Sequence, residues 1–300
     1  MTLAIGIKYP WGQLNRLIEP NKPIPGAIIL ASDSRWTYLE RNSINAVSHD
    51  DFGTKLFQLG DDVGAVYAGV SEPGERCMDT LRDKLSQGNT PNSQNSVKLA
   101  QQTFEYIWKD YISSKEAGKI DQRYRCLYIV IGVCDKWGRT ELYSFKHEND
   151  FVAEVMSMPK AIGIESQAHK LLKAIEDEMS KRVDEKLSMK SRHSGAIAAL
   201  ASLGPIPPTF VEFSDVAFIV GHYLNSIILS GEDDSIGGNI QCAVITNQGF
   251  SIFPMSYTTD PTNEGTGWTR VTALPNQLKT QTGTFGCYSL VDFNDNLSDN

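Results

Sequence analysis

The chain has little to offer the commonest catalytic and binding chemistries. Its five cysteines, Cys77, Cys126, Cys134, Cys242 and Cys287, are odd in number and none stand in C-x-x-C spacing. A disulfide framework and a structural zinc site are therefore not expected, and a reducing cytoplasm is the expected location. Cys126, Cys134 and Cys242 lie in apolar, strand-like runs and read as buried thiols. The histidines His49, His147, His169, His193 and His222 are scattered, with no two at metal-ligand spacing, so no metal site is expected. Lys and Arg do not cluster, and with a formal charge of -8 the chain lacks the basic surface that binding nucleic acid needs. No uninterrupted apolar run reaches the roughly 18 residues of a membrane span. No basic n-region precedes an apolar core at the N-terminus, where Lys8, Trp11, Asn15 and Arg16 break any such run. The sequence also contains no G-x-S-x-G elbow, H-E-x-x-H, G-x-x-x-x-G-K-[ST], or G-x-G-x-x-G opening a helix.

What is present fits a globular chain. A hydrophobic fraction of 41% with 21% charged residues is ordinary for one, and 300 residues suit one large domain or one with elaborations. The strand-like "TLAIGIKY" and "GAIILASDSR" are separated by "PWGQLNRLIEPNKPIP", whose prolines mark a loop longer than a hairpin needs. "TKLFQLGDDVGAVYAGV" reads as a hairpin turning at "GDD". From Pro73 the apolar period becomes helical: Cys77, Met78, Leu81 and Leu85, then Val97, Leu99, Ala100, Phe104, Ile107 and Tyr111, predict two consecutive helices. "CLYIVIGVCD", "TELYSFKH" and "FVAEVMSMPKAIGI" return to β character. "SQAHKLLKAIEDEMSKRVDEKL" and "FSDVAFIVGHYLNSIILSG" are helical, the first with a solvated charged face, and "SGAIAALASLGPIPP" between them breaks at its prolines. "NIQCAVIT" and "GFSIFPMS" are the last strands, and beyond Tyr257 the chain is polar and aperiodic, a reading that favours a mobile end at "DFNDNLSDN". Helices in pairs between blocks of hairpins do not match a doubly wound sheet. They predict an α+β fold with two antiparallel sheets sandwiched between helical layers.

The start of the chain carries a further signal. Thr2 follows Met1, and a threonine exposed as the first residue has a base on its own backbone, the free α-amine. Downstream come "GAIILASDSRWT" and "TKLFQLGDDVGAVYAGVSEPGE". Together these stretches resemble the proteasome-type N-terminal nucleophile (Ntn) hydrolases, meaning the β-subunits of the 20S proteasome and their bacterial relatives. The Asp-x-Arg-x-Thr segment of that family falls on Asp33, Arg35 and Thr37, its strand-leading lysine on Lys55, and its strand-ending glycine on Gly69. The step from Lys55 to Gly69 keeps the family's spacing, whereas the gaps from Thr2 to Asp33 and from Asp33 to Lys55 are longer. The resemblance runs more weakly through "LYIVIGVCD", "AIGIESQAHKLLKAIED" and "LSGEDDSIGGNIQCAVITNQG", to about Pro254. It implies a four-layer αββα sandwich over residues 2–256, with a Pro-rich insertion at about 9–25 and a polar C-terminal extension at 257–300.

The chemistry so implied is that of a threonine peptidase without metal or organic cofactor. With Met1 removed, the Thr2 amine, with a pKa of about 8 in a free chain, serves as base for its own hydroxyl. Lys55 lowers that pKa, Asp33 compensates and orients Lys55, and the Gly69 N–H stabilises the oxyanion by roughly 3 kcal/mol. The resemblance also places Asp233 at an acidic position of the site. Two family serines are unmatched: Gly163, Ile164 and Glu165 stand where Gly-Ser-Gly is usual, with Ser166 next, and Ile236 replaces the second, with Ser235 one residue away. By the same alignment Trp36, Gly53 and Tyr67 line the pocket for the residue before the scissile bond, and two aromatics favour small or apolar residues there. The absence of a propeptide resembles the simple bacterial members. Expected partners are a peptide or unfolded-protein substrate, further copies of the chain in rings or helical stacks, and an ATP-dependent unfoldase, with no nucleic acid and no membrane. Two alternatives stay open: a non-catalytic assembly subunit that retains Met1, and an amidase of the same superfamily acting on a small amide.

Overall fold

A computed structural model describes residues 2–12, 26–39, 46–87, 93–115, 117–120, 125–193, 213–253, 256–258 and 267–269. Met1, most of the Pro-rich insertion, the "SGAIAALASLGPIPP" segment, Cys287 and most of the extension lie outside them.

The apolar runs at the start become β1 (Leu3–Tyr9) and β2 (Ala27–Asp33), antiparallel neighbours paired from Ala4↔Ser32 to Tyr9↔Ala27. Both are apolar on both faces because both faces are covered. Leu3, Ile5, Ile7, Ala27, Ile29 and Ala31 point one way, and Ala4, Ile28 and Leu30 the other. β11 (Ile240–Thr246) pairs with the far side of β2, and β12 (Gly249–Ile252) with β11. β10 (Lys160–Gly163) closes the near edge on β1, giving the five-stranded order β10-β1-β2-β11-β12.

The second sheet follows chain order: β5 (Leu56–Gln58), β6 (Val63–Gly69), β7 (Leu127–Cys134), β8 (Thr140–Lys146) and β9 (Glu154–Val155), all antiparallel. The segment read from sequence as one β stretch, "FVAEVMSMPKAIGI", is divided between the sheets: β9 ends the second and β10 joins the first. Pro159, with no N–H to give to either ladder, lies in the crossing.

The helices fall where the apolar period predicted them. α1 (Ser71–Gln87) and α2 (Ser93–Ser113) set Cys77, Met78, Leu81, Ala100, Phe104 and Ile107 against Tyr67, Leu127, Ile129, Ile131 and Phe145 of the second sheet. α3 (Glu165–His193) and α4 (Phe213–Ser230) cover the first sheet with Leu171, Ile175, Met179, Val183, Val216, Val220 and Leu224. A third apolar layer lies between the sheets, where Ala4, Ile28, Leu30, Ala243 and Ile245 meet Leu56, Val66, Ala68, Val130 and Leu142. The molecule is thus a mixed α+β sandwich of antiparallel sheets with four helices among the described residues. α4 is long and apolar enough to cross a membrane by length and composition. Its apolar residues Val216, Ala217, Ile219, Val220 and Leu224 are instead buried in the helix-side core. Cys77, Cys126, Cys134 and Cys242 are buried free thiols.

Two short ribbons have no counterpart in the sequence-based reading. β3 (Trp36–Leu39) pairs with β4 (Ala46–Asp50), and β13 (Ser256–Thr258) with β14 (Gly267–Thr269). β3 and β4 belong to neither large sheet.

Candidate active site

β2 ends at Asp33, a fully buried carboxylate that gathers donors from four parts of the chain. Its Oδ1 accepts the Leu3 N–H at 2.8 Å, while its Oδ2 accepts the Lys55 ammonium and the N–H groups of Arg35 and Gly237, each at 3.2 Å. Leu3 N belongs to the peptide that joins it to Thr2, so Asp33 anchors the backbone directly after the candidate nucleophile. An ionised carboxylate is tolerated at such depth only when its lone pairs are filled in this way.

Lys55 immediately precedes β5 and is 1% exposed. Besides Asp33, its ammonium donates to the Arg35 carbonyl. Burial pushes Lys55 below the ordinary lysine value of 10.5, and the neighbouring Asp33 charge opposes that shift. Thr2 is itself buried, 3% exposed, at the mouth of β1. The end of β10 closes on it: Leu3 pairs with Gly163, which has φ +116°, and an ideal Cβ on Gly163 would stand 1.7 Å from the Thr2 carbonyl oxygen. Only glycine fits there. Gly69 ends β6 in the same manner, at φ +122°, with an ideal Cβ 2.0 Å from the Cys126 carbonyl oxygen, and the next N–H, of Val70, donates to that carbonyl at 2.9 Å.

The turn between α4 and β11 meets this centre through its backbone. Gly237 N–H reaches Asp33, and the Gly237 carbonyl accepts the N–H groups of Ser34 at 3.3 Å and Arg35 at 3.0 Å. The Arg35 guanidinium grips Asp51 bidentately, at 2.6 and 3.0 Å, and donates to the Asp234 carbonyl at 3.1 Å. That pairing raises the Arg35 pKa and lowers that of Asp51. Asp233 and Ser235 serve the turn itself, since the Ser235 N–H and hydroxyl both donate to Asp233 Oδ1. Ile236, at the position of the unmatched serine, is a core residue packed on the helix side of the first sheet. Ser166 is exposed in the first turn of α3.

Trp36, Gly53 and Tyr67 do come together. An ideal Cβ on Gly53 would be 2.3 Å from Trp36 Nε1, so the indole lies flush on that glycine. The Tyr67 hydroxyl neighbours the same indole and is buried, which pushes its pKa well above 10.0. Neither the indole N–H nor the phenol oxygen makes a hydrogen bond of good geometry. Thr37 stands apart on the β3–β4 ribbon, its hydroxyl 3.3 Å from His49 Nδ1.

Sequence reasoning missed Gln241, Ser34 and Asp51. Gln241 carried a readable signal, a carboxamide inside the apolar run "NIQCAVIT". Ser34 and Asp51 had none, being polar residues beside turns, yet Ser34 Oγ donates to the Asp51 carbonyl and accepts the Asn239 N–H at 2.7 Å. Among the described residues no group of three or more His, Cys, Asp or Glu side chains is arranged to hold a metal ion. The arrangement unites a buried lysine, its carboxylate and the peptide that follows Thr2, with two obligatory glycines at the neighbouring strand ends. No protein-family model matches this sequence, and no curated protein is significantly similar to it.

Proposed function

We propose that the chain is a proteasome-like Ntn hydrolase, an N-terminal threonine peptidase with the four-layer αββα fold. The observation that carries this reading is the Asp33 carboxylate, bound at once by the peptide after Thr2 and by the buried Lys55 ammonium. With Met1 gone, the Thr2 amine accepts the proton of Thr2 Oγ as that oxygen attacks the substrate carbonyl. The Lys55 charge holds the amine toward its neutral, basic form. The oxyanion is stabilised by the Gly69 N–H, the amine passes its proton to the departing peptide nitrogen, and water hydrolyses the acyl ester to regenerate Thr2. Substrates in this reading are peptides or unfolded proteins. Self-association into rings or helical stacks, an ATP-dependent unfoldase and a cytoplasmic location belong to the same proposal.

A second reading, a non-catalytic assembly subunit, is favoured by one pair of observations: Ile236 and Ile164, at the two positions where the family keeps site serines, both pack on the helix-side core, and the nearby Ser166 faces solvent. Intact mass after purification, followed by a threonine-directed electrophile such as a peptide epoxyketone, separates the two. The expected outcome is loss of one methionine and a single adduct on Thr2. Full retention of Met1 with no adduct would move the chain to the second reading.

Specificity provides a further prediction. Trp36→Ala removes the indole from Gly53 and Tyr67 and leaves room for a substrate side chain. The expected result is a roughly 10- to 200-fold gain in kcat/KM for peptides with a large apolar residue before the scissile bond, relative to alanine. An unchanged preference in a series of fluorogenic peptides would remove these residues from the pocket.

A further inference from the structure

Lys55 lies in no regular element; it leads into an edge strand from an irregular turn, a weak base for a side chain that must hold its place to within a fraction of an ångström. Its backbone is fixed instead by one side chain from the other sheet. Gln241 Oε1 accepts the N–H groups of Lys55 at 2.9 Å and Leu56 at 3.1 Å, and Gln241 Nε2 donates to the Gly53 carbonyl at 2.8 Å. Two successive N–H groups converge on one oxygen only where the chain is bent out of the extended form, and that bend sits at Lys55. On its other side the Lys55 carbonyl accepts the Tyr67 N–H at 3.2 Å, so the residue is tied in both directions before its side chain reaches Asp33.

We infer that Gln241 is the positioning residue for the Lys55 ammonium. It stands on β11 directly opposite Ser32, one residue before Asp33, so a single strand pair sets the carboxylate and the clamp that aims its partner. The chemistry selects a carboxamide. Two N–H donors and one carbonyl need an acceptor with two lone pairs and a donor on the same short group. Asparagine is one methylene shorter, and a glutamate keeps the acceptor but has no N–H for Gly53. The placement of Lys55 follows from these bonds; that the placement serves catalysis rests on the peptidase reading above.

The test observes the ammonium itself. In protein labelled with 15N-lysine, wild type is expected to show a slowly exchanging ammonium resonance that Lys55→Met removes. Gln241→Met, which keeps the volume and deletes these three bonds together with a fourth, longer one from the Ser32 hydroxyl at 3.5 Å, is expected to lose or shift that resonance, and Gln241→Glu, which keeps the acceptor, to retain it. A Lys55 resonance unchanged in position and exchange in Gln241→Met would overturn the inference. Should that variant not fold, amide exchange in wild type decides: protection of the Lys55 and Leu56 N–H groups supports the clamp, and exchange at free-peptide rates refutes it. If peptides are turned over, Gln241→Met should also lower kcat roughly 10- to 100-fold with KM little changed. A wild type that shows the resonance and hydrolyses nothing would retire the peptidase and leave the clamp standing.

Discussion

Lys55→Ala is expected to destabilise the fold by about 3 kcal/mol, the lower end of the cost of breaking a buried ion pair, and, on the proposed peptidase reading, to bring amide hydrolysis below detection. The lower end applies because Asp33 still accepts three backbone N–H groups once the ammonium is gone. Asp33→Ala is expected to cost more, about 5 kcal/mol, since it orphans those three donors and leaves a buried ammonium with the Arg35 carbonyl. The double variant should cost less than the sum, and urea denaturation of the four proteins measures the coupling. Strict additivity would mean that the two charges do not stabilise one another. The pair also fixes a pH dependence. Burial places the folded pKa of Lys55 below its unfolded value near 10.5, so between those values the unfolded chain binds more protons. Stability contributed by this group therefore rises with pH across that window, and Lys55→Ala should remove that part of the slope.

Gly163→Ala is expected to cost more than about 3 kcal/mol and to displace the start of β1. Its φ of +116° is a region that L side chains rarely adopt, a strain of about 1–3 kcal/mol. The added Cβ also meets the Thr2 carbonyl, a backbone atom that no rotamer change can move aside. Any Thr2 chemistry should vanish with the displacement. Gly231→Ala makes the control: its φ is +62° at the end of α4, but nothing lies within 4 Å of the new Cβ. There a cost of about 1 kcal/mol is expected. Equal denaturation midpoints for the two variants would contradict the close approach at Thr2.

The large elements were readable because each buries an apolar face with a definite period. Residues 27, 29 and 31 against 28 and 30 are a strand covered on both sides, and Cys77, Met78 and Leu81 mark a helix stripe. The β3–β4 ribbon was not readable, since it belongs to neither large sheet and Tyr38 on it is half exposed. The division of 151–164 between two sheets was equally hidden: alternation tells a strand its faces, not its partner.

The site divides along the same line. The residue types Thr2, Asp33, Lys55 and Gly69 were available from the sequence through its resemblance to a family in which they stand in that order, although only the step from Lys55 to Gly69 keeps that family's spacing. Their convergence was not. Lys55 meets Asp33 across 22 residues, Gly237 meets it across 204, and Gln241 reaches the Lys55 backbone across 186. Such contacts are set by sheet register and by how two sheets stack, and neither leaves a local pattern. The sequence by itself determined the elements, their buried faces and the chemical types present; only the tertiary structure decided that Ile236 fills the core, that Trp36 lies on Gly53 and that one carboxamide holds Lys55, because each depends on groups brought together from distant strands.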